Sequence, residues 1–494
     1  MLFRRNVIFP NKVILMRLPS NKTKIIATIG PSSMNRKTIE SMIKAGMSVA
    51  RINFAHGDFK QHERIIKMIR NASERINRRV AILGDLPGVK IRVGELQNGS
   101  VTLRRWQTIT LTTKDITGTE AEIPVEFKDF PKMVSKGDVI YLSDGFIALR
   151  VEEVRENEVL CKVLVGGTLF SHKGINVPKA KIAVDAITEQ DLEILDFAID
   201  HGIDAIGISF VGSAYDILKV RRFSDEKKTR IFIISKIERP DAVKNFDDIL
   251  CATDGIMIAR GDLGVEMPIE KLPILQKKLI HKANLAGKPV ITATQMLESM
   301  TEEKLPTRAE VTDVANAILD GTDAVMLSEE TAVGKYPVET VRMMAKIART
   351  TEAYRDSMWS SRMANWKTLE WKEKIPRKGT IKDAITRSII EALNSINIKY
   401  ILTPTRTGQT ARLISRFKPK QWILAFATDE MVANTLMFSY GVYPFLVNET
   451  TEKEIISVIK GLGLVSENDT VLLTKGTPIG KTAGTNTIRI FTVG

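Results

Sequence analysis

Eight short apolar runs constrain this chain more than any other feature. They fall at 24–29, 49–54, 80–86, 205–210, 231–235, 255–259, 289–294 and 324–328. Each has the length and β-branched content of a strand buried on both faces. Helical periodicity fills most of the gaps, as at 38–45, 61–76, 189–201 and 269–286. Strand then helix, eight times at roughly 25 to 30 residues, is the pattern of a closed (β/α)8 barrel. An open doubly wound sheet would show a Gly-x-Gly-x-x-Gly turn after its first strand, and none is present.

One gap is too long for a helix. Between Glu95 and Phe170 the sequence alternates in short segments bounded by Asn98-Gly99, Lys136-Gly137 and Asp144-Gly145. That is a small β domain inserted after the third strand, over the end of the barrel where active sites sit. Residues 351–380 read as a linker, and strands and helices resume from 381. The expected organisation is an N-terminal extension (1–20), a (β/α)8 barrel (21–94 and 172–350), a β-barrel lid (95–171), a linker and a C-terminal α/β domain (381–494). Residues 1–15 read as an extension ahead of Met16 rather than a targeting presequence.

Two cysteines, Cys161 and Cys251, exclude a disulfide framework and a cysteine-rich zinc site, and imply a reducing, cytoplasmic setting. No apolar run approaches the roughly 20 residues of a membrane span. The net charge of +14 is spread without an aromatic-interleaved basic stripe. It suits phosphorylated small molecules better than nucleic acid.

Polar residues gather at the C-terminal ends of the runs. The second ends in Arg51, Asn53 and His56, and the third in Asp85, followed by Lys90 and Arg92. The fifth supplies Lys236 and Glu238, the sixth Arg260 and Asp262, the seventh Thr294 and the eighth Glu330. In a barrel all of these would face one cavity. Glu238 and Asp262 offer hard oxygens to Mg²⁺ or Mn²⁺. Lys236 and Arg51 offer positive charge to a phosphoryl group in transfer. The turn Ala259-Arg260-Gly261-Asp262 can present backbone N–H groups to a carboxylate. No Walker-type loop is present, so nucleotide phosphates must be held by side chains and metal.

Six motifs together resemble pyruvate kinase: TKIIATIGPSS from Thr23, AGMSVARINFAHG from Ala45, SKIE from Ser235, ARGDLG from Ala259, ATQMLESM from Ala293 and PTRAE from Pro306. The resemblance implies transfer of the phosphoryl group of phosphoenolpyruvate to ADP, giving pyruvate and ATP. It makes Lys236 the lysine that stabilises the moving phosphoryl group and the enolate, and Glu238 and Asp262 the metal ligands. Ala259, Arg260 and Gly261 become the backbone that holds the substrate carboxylate, and Thr294 the threonine near the protonation step. Arg51 and Arg92 match phosphate-binding arginines. His56 and the lid lysine Lys173 fall on the nucleotide side, and Asp144 matches an acidic lid residue. Asn53, Asp85 and Leu86 match the monovalent-cation site.

Four positions depart from the family's pattern. Potassium-requiring members carry serine at Ala55, threonine at Leu86 and glutamate at Lys90. The Lys90 ammonium can fill the charge slot of the missing ion, so activity without potassium is expected. Glu329 stands where the family commonly has glycine, without a physical reason we can give. In the C-terminal domain, Thr403, Thr405, Arg406, Thr407, Gly408, Gln409 and Thr410 form a hydroxyl-rich turn between strand and helix. With the basic loop 475–486 it is the expected site of a phosphorylated effector. Gln295 and Arg308 match positions at a barrel-to-barrel interface, implying a homotetramer. The competing readings are another metal-dependent barrel enzyme of pyruvate enolate chemistry, such as an aldolase or phosphomutase, and a non-catalytic metabolite sensor.

Overall fold

The structure is a computed structural model that describes residues 16–89, 91–143, 145–178, 186–366, 380–476 and 485–494. Eight parallel strands close a barrel: β1 (Lys24–Thr28), β2 (Met47–Asn53), β3 (Ala81–Asp85), β4 (Ala205–Ile208), β5 (Phe232–Ile237), β6 (Gly255–Ala259), β7 (Val290–Ala293) and β8 (Ala324–Leu327). Each pairs with the next, and β8 returns to β1 with Lys24 beside Ala324. The strands are almost wholly buried because both faces are covered. Outward positions such as Ile25, Ile233, Ile256 and Ile258 pack on the helices, while Ile26, Val49, Leu83, Ile234, Met257 and Met326 fill the interior.

An aspartate sets the entrance of every second strand from β4 onward. Asp204, Asp254 and Asp323 stand just before β4, β6 and β8. Each gives a carboxylate oxygen to an N–H at the start of the preceding strand: Ile82 at 2.6 Å, Ile233 at 3.0 Å and Val290 at 3.1 Å. A charge-assisted bond from a strand-entry N–H to the aspartate before the next strand pins the register of neighbouring strands.

The insertion after β3 builds a six-stranded sheet and a two-stranded one around Leu111, Ile140, Leu149, Cys161 and Val163. The short strand Ile175–Asn176, on the return to the barrel, pairs antiparallel with Val139–Leu142. Asn176 donates to Glu266 at 3.1 Å, which ties the lid to the helix that follows β6.

The stretch read as a linker begins inside a helix, Pro337–Trp366. The C-terminal domain holds β9 (Tyr400–Pro404), β10 (Trp422–Ala427), β11 (Val442–Leu446), β12 (Thr470–Lys475) and β13 (Thr487–Thr492). Their spatial order is β11-β10-β9-β12-β13, parallel except for the antiparallel edge strand β13. This domain docks beneath the barrel, at the strand entrances. Lys24 Nζ donates to Val442 O at 2.6 Å, and Lys418 pairs with Asp323 at 2.8 Å. Among the described residues no helix is long and apolar enough to cross a membrane.

Candidate active site

At the opposite end of the barrel, four charged side chains from β2, β3 and β5 meet. β5 alternates, so Phe232, Ile234 and Lys236 point inward in succession and the lysine emerges at the top. Lys236 Nζ lies 3.1 Å from Glu238 Oε1, 3.2 Å from Asp85 Oδ1 and 2.7 Å from Ser209 Oγ. One hydrogen bond, to Ser209, and two ion pairs thus surround the ammonium, and the side chain is only 12% exposed. Arg51 places Nε and Nη2 on Asp85 Oδ2 at 2.7 and 2.6 Å, and Nη1 on Thr28 Oγ1 at 3.0 Å. Its guanidinium plane is therefore set from two strands. Gly207 on β4 leaves the room this needs, since a Cβ there would stand 3.1 Å from Asp85 Oδ1.

The electrostatics follow from burial and charge. Burial opposes the Lys236 ammonium, but Asp85 and Glu238 outweigh it and hold the lysine protonated well above its ordinary range. Burial pushes Asp85 up, yet Lys236 and Arg51 together bring it below the usual carboxylate range. Glu238, 1% exposed, goes the other way. Burial raises it, Lys236 only partly opposes, and Asp262 raises it further. Its second oxygen accepts the Phe210 N–H at 2.7 Å.

Asp262 sits in the first turn of the helix Arg260–Glu266, which starts directly at the end of β6. The Gly261 N–H donates to Thr294 Oγ1 at 2.8 Å, and that hydroxyl donates to Ala293 O at 2.7 Å. Thr294 and Gln295 both have positive φ, 64° and 53°, so the chain turns sharply as it leaves β7. This left-handed backbone is unusual for residues with a Cβ and is the kind of local strain found at functional sites.

Two strand-end charges expected in the cavity are elsewhere. The Arg260 side chain, 8% exposed, turns back into the protein. It pairs with Asp313 at 2.6 Å and donates to Thr294 O at 2.7 Å and Ala293 O at 3.3 Å. It braces the Thr294 loop, and the residue's backbone remains at the site. Glu330 is likewise buried and accepts the Ser328 and Leu297 N–H groups at 2.6 and 3.2 Å. In both cases the segment after the strand begins at once as a helix, and the side chain packs against a neighbouring segment.

The other expected residues divide by position. Asn53 stays at the end of β2 and accepts the Ala55 N–H at 3.2 Å, while His56 is exposed beyond it. Leu86 is buried and contributes only its carbonyl, which accepts Ser209 Oγ at 2.7 Å. Arg92 and Lys173 come together where the chain leaves and re-enters the barrel: the Val93 N–H donates to Lys173 O at 2.9 Å, and Arg92 Nη1 to His172 O at 3.0 Å. Lys90, Asp144 and 477–484 of the second C-terminal loop lie outside the described residues. The 403–410 turn stands apart, in the C-terminal domain. There Thr405 Oγ1 accepts the Gly408 N–H at 2.8 Å, Arg406 is exposed, and Thr403 Oγ1 is buried without a hydrogen-bond partner. Thr407 Oγ1 accepts the Gln409 N–H at 3.4 Å, and Thr410 touches Thr485.

Sequence reasoning missed Ser209, Thr28 and Gly207. The signal was present, since each extends the inward alternation of an apolar run, but only the closed barrel shows what it faces.

Family models agree with this arrangement. Residues 20–341 match the pyruvate kinase barrel domain and residues 383–491 the pyruvate kinase alpha/beta domain. A pyruvate kinase of Thermococcus litoralis is 68% identical over 97% of this chain and 100% of its own length. One from Geobacillus stearothermophilus is 43% identical over 96% of this chain and 80% of its own. The crystal structure of a pyruvate kinase from Cryptosporidium parvum superposes with a TM-score of 0.87 at 37% identity, covering 96% of both chains. With family models covering its barrel and C-terminal domain, and a ring of strand ends that converges on Lys236, this chain belongs to the pyruvate kinase family.

Proposed function

We propose that the Lys236 cluster is where this chain transfers the phosphoryl group of phosphoenolpyruvate to ADP. The bond from phosphorus to the enol oxygen breaks, a bond to the ADP β-phosphate oxygen forms, and the enolate takes a proton at carbon to give pyruvate. The observation that carries this reading is the placement of Lys236 Nζ against Asp85, Glu238 and Ser209.

Asp85 and Glu238 outweigh burial and favour the ammonium form of Lys236. It acts as a fixed positive charge beside the transferring oxygens rather than as a base. Arg51, held flat by Asp85 and Thr28, supplies a second cation with a set orientation. The backbone at Ala259, Arg260 and Gly261 receives the substrate carboxylate, with the Gly261 N–H shared with Thr294 Oγ1, and Asp262 follows it directly on the helix. The Thr294 hydroxyl, fixed by Gly261 and Ala293, orients the water or proton for the enolate. The lid, joined through Arg92 and Lys173, brings cationic groups to the nucleotide phosphates and excludes water.

The donor set fits Mg²⁺ or Mn²⁺. Glu238 and Asp262 offer only hard carboxylate oxygens, and Asp262 is close enough to raise Glu238. Among the described residues no group of three or more His, Cys, Asp or Glu side chains could hold a metal. The remaining ligands would be substrate and water. When bound, the ion neutralises charge on the phosphoryl and enolate oxygens.

Turnover of phosphoenolpyruvate to pyruvate, followed through lactate dehydrogenase, must require ADP and must vanish in Lys236→Met. Pyruvate release without ADP would favour the aldolase or phosphomutase reading. Activity without potassium is supported by the missing hydroxyl at Ala55 and by Lys90 in place of a glutamate. Assay in sodium-free tetramethylammonium buffer tests this, and strong stimulation by potassium overturns it.

A homotetramer is supported by an exposed apolar side chain, Leu305 (68%), three residues before Arg308. Light scattering reads the mass directly. A phosphorylated effector at the 403–410 turn is supported by the buried, unpartnered Thr403 hydroxyl beside exposed Arg406. A cytoplasmic setting is supported by two free thiols, Cys161 and Cys251.

A further inference from the structure

The C-terminal domain does more than rest against the barrel. It supplies part of the barrel's interior. A barrel of this kind is normally filled by layers of its own branched side chains. Here three inward residues at the strand entrances are alanines: Ala81 opens β3, Ala205 opens β4 and Ala324 opens β8. They leave a hollow at the floor. Met437 and Phe438, from the turn Leu436–Phe438 of the C-terminal domain, fill it and join the same buried cluster as Phe232, Ile234 and Met257. Phe438 is fully buried. Its ring lies nearly parallel to that of Phe232, with centroids 5.8 Å apart and planes 13° apart. The Arg412 guanidinium also lies over the Phe232 ring, 5.0 Å from its centroid.

The turn is held on both flanks by the strand-entry aspartates. Asn434 Nδ2 donates to Asp204 Oδ1 at 2.7 Å, and the Tyr440 N–H to Asp323 Oδ1 at 2.9 Å. So the plug is registered to β4 and β8 by the same carboxylates that register those strands. Above Phe232 the inward positions of β5 are Ile234 and then Lys236. One column of side chains therefore runs from Phe438 through Phe232 and Ile234 to the lysine at the top.

We propose that Phe438 is a positioning residue for Lys236, acting through Phe232 and Ile234. The inference rests on the reading of Lys236 as the lysine of phosphoryl transfer. The interior is packed as densely as a molecular crystal, so volume removed at the floor is felt by the neighbouring layers rather than absorbed. Lys236 Nζ has little freedom to adjust, since it must meet acceptors on β3, β5 and the segment after β4 together. Small errors in such a placement cost rate far more than binding.

The test compares Phe438→Ala, Phe438→Leu and Asn434→Ala in the full-length chain, at a temperature where each is folded by circular dichroism. Phe438→Ala should lower kcat about tenfold or more while KM for ADP changes less than about twofold. Phe438→Leu, which refills only part of the hollow, should keep a smaller but measurable loss, about threefold to fivefold in kcat, and so keeps the test alive if the alanine variant does not fold. Asn434→Ala releases the same turn from Asp204 and Arg79 without emptying the column. It should lower the melting midpoint yet leave kcat within about twofold of the parent. The proposal is overturned if the alanine variant, or the leucine variant when only that one folds, keeps the parent's kcat. It is equally overturned if Asn434→Ala loses as much. An active Lys236→Met would remove the underlying reading and this inference with it. An inactive Lys236→Met beside unimpaired Phe438 variants would remove this inference alone.

Discussion

Replacing Ser209 with alanine isolates one bond of Lys236, the lysine proposed to stabilise the moving phosphoryl group. Ser209 Oγ is the nearest of the three acceptors around Lys236 Nζ, at 2.7 Å against 3.1 and 3.2 Å for the two carboxylates. It is also the only neutral one, so its loss leaves the charge balance of the site intact. A hydrogen bond to a charged group contributes about 1.5 to 3 kcal/mol, and each 1.4 kcal/mol is about tenfold in rate. Lys236 is 12% exposed, so water can partly replace the lost partner and the lower end of that range applies. We expect kcat to fall about tenfold with a smaller change in KM for phosphoenolpyruvate. The same hydroxyl donates to Leu86 O at 2.7 Å, so the variant should also be about 1 kcal/mol less stable. Steady-state turnover coupled to lactate dehydrogenase measures the first, and urea unfolding the second. A kcat within about twofold of the parent, with the stability loss present, would show that the lysine needs no third anchor.

Arg260→Leu should cost about 1 to 3 kcal/mol in unfolding free energy, because it leaves the carbonyls of Ala293 and Thr294 without their donor, while the half-exposed Asp313 stays solvated. An unchanged melting midpoint would contradict the bracing role. Glu238→Gln keeps the Phe210 contact but removes one carboxylate charge, so the Mg²⁺ concentration for half-maximal activity should rise at least about tenfold. An unshifted Mg²⁺ titration would exclude Glu238 as a ligand. Lys24 gives a pH signature. Burial pulls its pKa from 10.5 down to about 7, although Glu352 and Asp323 raise it. A lysine whose folded pKa is depressed carries the cost of its buried charge at low pH and sheds it on deprotonation. Its contribution therefore makes stability rise from about pH 7 toward 10.5. Lys24→Met should flatten that rise in denaturant titrations, and an equal rise in the variant would refute it.

Much of this molecule was legible in one dimension. Each barrel strand is buried on both faces by its own residues, so its apolar run announces it without knowledge of its neighbours. Lys236, Glu238 and Asp262 could be read because strand ends in a barrel share one mouth whatever the details of the loops. Arg260 and Glu330 show where that rule stops. They carry the same charge types at the same kind of position. Yet the direction of the first turn after the strand, rather than residue type, sends one to Asp313 and the other to the Ser328 and Leu297 amides.

What the amino-acid order determined by itself is the set of local commitments: strand, helix, lid insertion, and the chemical kinds placed at each strand end. Periodicity and turn chemistry are short-range, and a single chain states them. What only the tertiary structure decided is which groups meet. Ser209 and Thr28 became partners of Lys236 and Arg51 through closure of the barrel. Phe438 entered a hollow left by alanines more than a hundred residues away in sequence. Those pairings depend on distances between distant segments, and packing sets such distances only once the whole core has formed.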